Sequence, residues 1–384
     1  MRSLARSIAM IIPGLDRIGG AEQQLLLLAR GLHARGWRVS VVALSGAGGV
    51  SGKQLIAEGI GFTSLGMRKG LADPLGWIRF NRWLRQHRPD VVHAHLPHAA
   101  WLARWSRLAA PMPVLVDTVH TSATGELGRR VGYRCSRWLP DQVSAVSQAV
   151  AQAYLKARMV SEKTLTILPN GVDKSHWKPD PLARESMRRK LHAQDEFIFL
   201  AAGRLDPVKD YPTLLTAMAG LPAISGRPAS ARLIIAGAGP LENSLRQLAA
   251  ELGIADRVEF LGFQPDLYRW MQAADAFVLS SLWEGLSMGI LEAAACGLPS
   301  VATDVPGTRE AVMDGKTGFL ATAADPPAFQ AALARMMALP RSEREAMGRK
   351  ARQFIVERFS LEQVLDRWES LYNALLARIR KSKR

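Results

Sequence analysis

An α/β chain of two doubly wound domains is the fold this sequence predicts, and three observations predict it. Short, nearly continuous apolar runs such as Ser7–Ile12, Val114–Val119 and Phe197–Ala202 alternate with segments of helical periodicity. Strands buried on both faces of a parallel sheet read this way. The alternation breaks at Asn170-Gly171-Val172-Asp173, with Pro179 and Pro181 beyond, and resumes at Phe197. Strand-to-helix loops are short in both series, as doubly wound units require. Residues 1–170 and 171–359 are therefore expected to be separate domains, with a final helix and a basic tail over 360–384.

The 384 residues are 48% hydrophobic, enough for real cores. No apolar run reaches the roughly 18 residues that a spanning helix needs. The start, MRSLARSIAMII, pairs a basic flank with a short apolar run, as a signal peptide does. Pro13 stops that run and no small-residue cleavage site follows, so a first buried strand is expected instead. Two cysteines, Cys135 and Cys296, make no disulfide framework and fit a cytoplasmic chain with free thiols. The net charge is +16, and residues 1–170 hold 22 Lys and Arg against 9 Asp and Glu. Such a surplus suits nucleic acid, an anionic membrane surface or an acidic substrate. No zinc-finger, RNA-recognition or basic-zipper pattern accompanies it, so no nucleic-acid partner is expected.

The first strand, Ser7–Ile12, leads through Pro13–Gly20 into a helix over 21–32. Gly19 and Gly20 allow a ligand close to the backbone, or simply make a strand–helix turn. Trp37–Leu44 is the next strand, and 55–65 continues the alternation. Over 75–87, Trp77, Ile78, Phe80, Trp83 and Leu84 interleave with Arg79, Arg82 and Arg85. An interfacial membrane helix reads so, and so does a surface helix whose Arg stems cover a core stripe; the latter is favoured. Trp101–Arg107 is a second aromatic-basic stretch. Asp90–His95 is a strand ending in His93 and His95, with His98 past Pro97. One strand puts His93 and His95 on a single face without a third ligand of known spacing, so no metal is expected. Val114–Val119 is followed by His120 at its carboxyl end, where open parallel sheets bind ligands. Residues 121–138 read as a loop or helix, and 143–146 and 165–169 complete the first series.

In the second series, the strand Phe197–Ala202 is followed by Gly203-Arg204-Leu205-Asp206-Pro207-Val208-Lys209. Arg204 can grip a phosphate bidentately and Lys209 adds a point charge. After Leu233–Ala236 comes Gly237-Ala238-Gly239-Pro240-Leu241-Glu242. Glu242 stands where a dinucleotide fingerprint needs its third glycine, so no nicotinamide site is expected. Val258–Phe263 is a further strand and loop, and Ala276–Leu279 enters the segment SSLWEGLSMGILEAAACGLPSVATDVPG, 280–307. There Glu284-Gly285 reads as a tight turn and 288–295 as a helix. Its first backbone N–H groups, around Leu286, Ser287 and Met288, form with the helix dipole an anion site needing no metal. Glu284 sits at its mouth and Glu292 one to two turns along. Two carboxylates beside an anion cradle suit a ligand with a phosphate centre and hydroxyls at both ends, the form of a nucleotide-sugar.

Two Glu eight apart mean little alone. Set in S-x-W-E-G and followed by E-A-x-A-x-G-x-P and T-D-x-P-G, they resemble the E-x7-E signature of retaining glycosyltransferase family 4. The resemblance runs over nearly the whole chain, including P-N-G-V-D at 169–173, R-x4-K at Arg204 and Lys209, and G-x-G-P at 237–240. It implies the GT-B fold: two Rossmann-like domains facing a central cleft, acceptor in the first and nucleotide-sugar in the second, with the last helix crossing back. It further implies a diphosphate clamp of Arg204 and Lys209 and a cleft histidine, His120, near the anomeric centre. Glu284 would hold sugar hydroxyls and Glu292 ribose hydroxyls. The loops at Gly19–Gly20, Gly203 and Gly285 would meet the donor, and Gly262 and Phe263 would lie beside the base. No cofactor follows beyond a UDP- or GDP-sugar donor.

The acceptor so implied is a glycan or polyprenyl-diphosphate-linked precursor, in exopolysaccharide, capsule or lipopolysaccharide assembly. The basic first half suits work at the cytosolic face of an inner membrane. Two alternatives share the fold: a nucleotide-sugar epimerase, which a donor-only incubation would expose, and a non-catalytic carbohydrate-binding protein. The presence of Arg204, Lys209, Glu284 and Glu292 speaks against the latter.

Overall fold

The computed structural model describes residues 6–68, 73–194, 196–221 and 231–382. Residues 1–5 of the leader-like start and the last two residues of the basic tail lie outside these. The chain forms two compact units, residues 1–171 with 361–384, and residues 172–360.

The first unit runs β1 (Ser7–Ile12), α1 (Gly20–Ala34), β2 (Arg38–Ala43), α2 (Gly49–Ala57), β3 (Gly61–Ser64), α3 (Pro74–His87) and β4 (Val91–His95). It continues with α4 (Pro97–Ser106), β5 (Val114–Val119), α5 (Leu127–Ser136), β6 (Gln142–Ala145), α6 (Gln148–Lys156) and β7 (Leu165–Ile167). The second unit contains α7 (Pro181–Lys190), β8 (Phe197–Ala202), α8 (Tyr211–Ala219), β9 (Ala231–Ala236), α9 (Glu242–Glu251), β10 (Val258–Gly262) and α10 (Leu267–Ala273). It ends with β11 (Ala276–Leu279), α11 (Met288–Ala295), β12 (Ser300–Thr303), α12 (Pro306–Arg309), β13 (Gly318–Ala321), α13 (Pro326–Ala338) and α14 (Arg341–Phe359). The last helix, α15 (Leu361–Ser382), returns to the first unit.

All paired strands are parallel. The first sheet is ordered β3-β2-β1-β4-β5-β6-β7 and the second β10-β9-β8-β11-β12-β13. Each order reverses once, at β1/β4 and at β8/β11. At such a point the flanking loops diverge to opposite faces and leave a crevice at the carboxyl ends of the strands. Helix starts follow local chemistry: α3, α7 and α13 each open on Asp–Pro. Asp73, Asp180 and Asp325 accept the N–H of Gly76, Ala183 and Ala328, and the proline fills the first helical position.

In the first unit α15 covers α1. Its stripe of Val364, Leu365, Trp368, Tyr372 and Leu375 joins the core of Ile8, Met10, Leu25, Leu28 and Leu32. In the second unit, Asp275 just before β11 takes Arg184 at 2.7 Å and Arg188 at 2.9 Å from α7, and the Ile198 N–H at 2.9 Å. Burial pushes the Asp275 carboxyl up, but the two guanidiniums and the amide win and hold it below its ordinary range. Asp275→Ala would leave Arg188 buried without its counter-charge, so it should destabilise the second unit by about 3 kcal/mol or more. Urea unfolding of the variant checks this.

Candidate functional site

The candidate residues of the second unit gather at the carboxyl edge of its sheet. Gly203–Lys209 follow β8, Gly237–Gly239 follow β9, Gly262 and Phe263 end β10, and Ser280–Met288 follow β11. Since β8 and β11 are neighbours at the order reversal, Lys209 and Glu284 arrive on adjacent strand ends. Three bonds stitch their loops together. Ser280 Oγ donates to Lys209 O at 2.7 Å, Leu282 N–H to Val208 O at 2.8 Å, and Lys209 Nζ to Glu284 Oε1 at 2.6 Å. Ser281 Oγ donates to the same Glu284 oxygen at 2.7 Å, and Thr303 Oγ1 at the end of β12 holds Ser281 O at 2.5 Å. Both charged side chains are largely covered, 22% exposed for Lys209 and 11% for Glu284. A pair held this way sits in reduced dielectric, where either charge acts more strongly on a ligand than it would in water.

The G-x-G turn owes its glycines to crowding by backbone. A Cβ on Gly237 would lie 1.8 Å from Gly203 O, and one on Gly239 2.3 Å from Leu205 O. Gly203 N–H donates to Ala236 O and Leu205 N–H to Ala238 O, so the loop carrying Arg204 lies directly on the turn after β9. Tyr211 braces it from beneath, donating to Gly203 O at 3.2 Å. Burial, with the carboxylates of Asp206 and Glu284, pushes the Tyr211 hydroxyl well up, so it stays a donor.

Beside Glu284, α11 begins at Met288 with Ser287 as N-cap, and the Ser287 side chain makes no capping bond. Leu286, Ser287 and Met288 are buried, as is Glu292, four residues into the helix at 4% exposure. Glu292 and burial together push the Cys296 thiol up to about 12, burial being the larger cause, so that cysteine is inert. Gly262 ends β10 after a register shift, and its carbonyl takes the Gly237 N–H at 2.8 Å. Phe263 follows with its ring 66% exposed, a free aromatic face at the carboxyl edge. Arg204 is also exposed, and its Nε donates to Asp206 Oδ2 at 2.7 Å. The structure thus joins Lys209 to Glu284 and Arg204 to Asp206. Asp206 is a residue the spacing argument passed over, because that argument weighed only the cations.

The first unit has its own group of residues at its β1/β4 reversal. Gly19 is the N-cap of α1; its N–H donates to Glu22 Oε2 at 3.0 Å and its carbonyl takes the Gln23 N–H. The His93 and His95 rings on β4 pack with centroids 4.0 Å apart and planes tilted by 39°, and His95 Nδ1 lies 3.1 Å from His120 Nε2 just past β5. His93 uses both nitrogens, Nε2 with Thr118 Oγ1 at 2.7 Å and Nδ1 with the Tyr372 hydroxyl of α15 at 2.8 Å. Neither is left for a metal. Among the described residues no three His, Cys, Asp or Glu side chains group as a metal site would. His95 Nε2 and His120 Nδ1 are buried without partners.

Burial lowers all three imidazoles. His93 falls to about 3, with His120 adding a little; His120 falls to about 4; His95 falls well below its ordinary value. All are neutral at pH 7. The unfolded chain takes up these protons near pH 6.5, while the folded chain does so only near pH 3 to 4. Stability is therefore full above about pH 6.5 and is lost progressively as the pH falls towards the folded values. The urea midpoint should drop between pH 7 and pH 5, and His93→Gln should shrink that drop.

Two parallel, doubly wound sheets with their candidate residues at the strand carboxyl ends define the GT-B class of transferase fold. In agreement, the crystal structure of Anabaena Alr3699/HepE in complex with UDP and glucose superposes with a TM-score of 0.82 at 22% identity, covering 96% of this chain and 100% of that one. Residues 183–354 match the family Glycosyl transferases group 1, and residues 18–176 match Glycosyltransferase Family 4. The chain is 30% identical to the GDP-mannose-dependent alpha-(1-6)-phosphatidylinositol monomannoside mannosyltransferase of Mycobacterium tuberculosis, over 78% of each chain. It is 26% identical to the Escherichia coli UDP-Gal:alpha-D-GlcNAc-diphosphoundecaprenol alpha-1,3-galactosyltransferase, over 79% of this chain and 80% of that one. The chain belongs to glycosyltransferase family 4.

Proposed function

We propose that this glycosyltransferase moves a hexose from a UDP- or GDP-sugar to a glycan or polyprenyl-diphosphate-linked acceptor, with retention of anomeric configuration and no metal. The observation that carries the reading is the Lys209–Glu284 pair at the β8/β11 reversal, beside the start of α11. Residues 1–170 are assigned the acceptor and 171–359 the nucleotide-sugar, with 360–384 serving the first domain. The mycobacterial and Escherichia coli relatives support it, their names pairing a nucleotide-sugar with a lipid-borne acceptor.

The chemical demand is leaving-group charge. As the bond from the anomeric carbon to the diphosphate breaks, negative charge builds on phosphate oxygens. Lys209, Arg204 and the N–H groups around Leu286, Ser287 and Met288 are preorganised to meet it, a contribution of several kcal/mol. Gly203 and Gly285 let the backbone approach the donor, Phe263 and Gly262 take the base, and Glu292 the ribose hydroxyls. Glu284 accepts from hydroxyls of the transferred sugar. His120 touches that sugar near the anomeric centre as a neutral imidazole, and Gly19–Gly20 approach the donor from the first domain.

Glu284 is a poor nucleophile, since its Oε1 already accepts from Lys209 and Ser281. A glycosyl-enzyme would also need a second carboxylate about 5 Å away. In same-face displacement, the acceptor oxygen bonds the anomeric carbon as the diphosphate leaves. A diphosphate oxygen takes the acceptor's proton. Glu284→Ala and Lys209→Ala should each reduce transfer to background while melting as cooperatively as the parent, and EDTA should change nothing. Near-normal turnover in both variants, or strict dependence on a divalent ion, sinks the reading.

The acceptor reading places the first domain against the anionic cytosolic face of an inner membrane, and α5 supports it. Among the described residues no helix is long and apolar enough to cross a membrane. Helix α5 instead carries its apolar residues on the outside. Leu127 and Val131, one turn apart, are 72% and 45% exposed, and Trp138, in the turn just past the helix, is 67% exposed, with exposed Arg134 and Arg137 near it in sequence. Its inner face is polar: Ser136 takes the buried Arg104 at 3.1 Å, and that guanidinium lies 4.4 Å over the Tyr133 ring. The Trp138 indole N–H is already bonded to Cys135 O, so its ring can enter lipid without stranding a donor. Trp105 and Leu108 are exposed at the end of the neighbouring α4. An interfacial face has this composition. Co-sedimentation with vesicles containing anionic lipid should weaken about tenfold or more in Leu127→Ser/Trp138→Ser, given about 1.5–3 kcal/mol per fully buried large side chain.

A further inference from the structure

The loop after β8 contains one carboxylate that the mechanism above leaves unused. Asp206 stands two residues past Arg204 and binds it by a single edge, Oδ2 to Nε at 2.7 Å. A guanidinium carries one N–H on Nε and four on its two Nη atoms, all in one plane. A carboxylate on the Nε edge leaves the Nη1/Nη2 edge, the fork that matches two oxygens of a phosphate.

Asp206 is the anchored member of the pair. Its side chain is 13% exposed against 72% for Arg204. Its backbone is fixed at both ends: its N–H donates to Arg204 O at 2.9 Å, its carbonyl takes the Lys209 N–H at 3.1 Å, and Pro207 follows. The ordinary use for an aspartate here, capping the next turn, is absent. Asp206 makes no side-chain capping bond to the 3-10 turn at 207–209, and it is Asp210 that caps α8. The other carboxylate oxygen, Oδ1, is buried without a hydrogen-bond partner. A covered carboxylate with one oxygen unmatched is costly, and Arg204 is its one hydrogen-bonded side chain among the described residues.

We propose that Asp206 is a positioning residue for diphosphate binding, holding Arg204 by its Nε edge so that the Nη fork is preset for the nucleoside diphosphate. This rests on Arg204 contacting the diphosphate, as in the function proposed above. Two effects oppose each other. The Asp206 charge repels an incoming diphosphate, but at an exposed site salt and water screen that repulsion. An untethered arginine, by contrast, loses its rotamer freedom on binding. The second effect dominates, and Asp206 favours binding.

Calorimetric titration of the full chain with UDP and GDP, and with uridine and guanosine, tests this on whichever base the parent binds. Asp206→Ala should weaken the diphosphate by about two- to fivefold, the worth of an exposed ion pair, and leave the nucleoside unchanged. Asp206→Asn, which keeps an acceptor for Nε, should recover most of the loss. In an Arg204→Ala background, Asp206→Ala should add nothing. Unchanged or tighter diphosphate binding by Asp206→Ala overturns the proposal, and so does a parallel loss of nucleoside binding, which marks a merely structural role. If Arg204→Ala itself binds diphosphate like the parent, the clamp assignment fails first and the positioning role falls with it.

Discussion

The reversal of strand order between β8 and β11 is the constraint on which the candidate site depends. Strands added on either side of that point send their connections to opposite faces, so nothing in the sheet fills the crevice above these two carboxyl ends. The sequence fills the gap by sewing the two loops together through Ser280 Oγ to Lys209 O and Leu282 N–H to Val208 O. These two bonds to main-chain carbonyls fix the positions from which Lys209 and Glu284 reach each other. Their meeting therefore follows from topology and local stitching, not from the attraction of two surface charges, which is weak in water.

The first unit repeats the architecture with different side chains at its reversal. Its reversal at β1/β4 carries aromatic and imidazole groups where the second carries charges. Tyr372 and Trp368 from α15 close on His93, His93 packs at a tilt against His95, and His95 meets His120. Burial keeps these rings neutral, so His120 offers neither a positive charge nor an acid at neutral pH. Under the proposed function, the charges at the second unit's reversal answer the charge that develops on the leaving group, whereas neutral rings can offer a sugar hydroxyl only hydrogen-bonding shape.

Much of this was legible in the chain. Ser7–Ile12, Val114–Val119, Phe197–Ala202 and Ala276–Leu279 are strands with the bounds their apolar runs suggest. A strand buried on both faces has little choice but to be apolar throughout. The edge strand β3, half exposed at Phe62 and Thr63, has no such run and showed only as a vague continuation. Helix α5 was also unclear, because it inverts the usual pattern: Ser136 and Tyr133 face in, and Leu127 and Val131 face out. Helix α3 divides between its two readings, with Phe80, Trp83 and Leu84 buried and Leu75 and Ile78 exposed. Arg104, within the aromatic-basic stretch Trp101–Arg107, is fully buried against Asp117 at 2.6 Å. In the site, Arg204, Lys209, Glu284 and the start of α11 stood out by spacing. The partners that hold them did not: Ser281 and Asp206 are ordinary residues whose meaning lies in which atom they touch. Tyr372 lies 279 positions from His93, and no local pattern links the two.

The pairing of Lys209 with Glu284 bears on how the charges of this site stay matched. A largely covered ammonium and a largely covered carboxylate would each be costly if left unmatched. In the structure they satisfy one another, and Asp206 does the same for Arg204. Under the proposed function, an arriving donor supplies two kinds of group together. Its phosphate oxygens take over the cations, and its sugar hydroxyls donate to Glu284 as Lys209 turns away. Each charge then exchanges one partner for another and is never stranded. A nucleoside diphosphate without its sugar would complete only half of that exchange, drawing Lys209 off without bringing a sugar hydroxyl to Glu284. The same carboxylate that orients the sugar thereby makes the intact donor a better fit than the spent one. Under the proposed function, that difference favours release of the product.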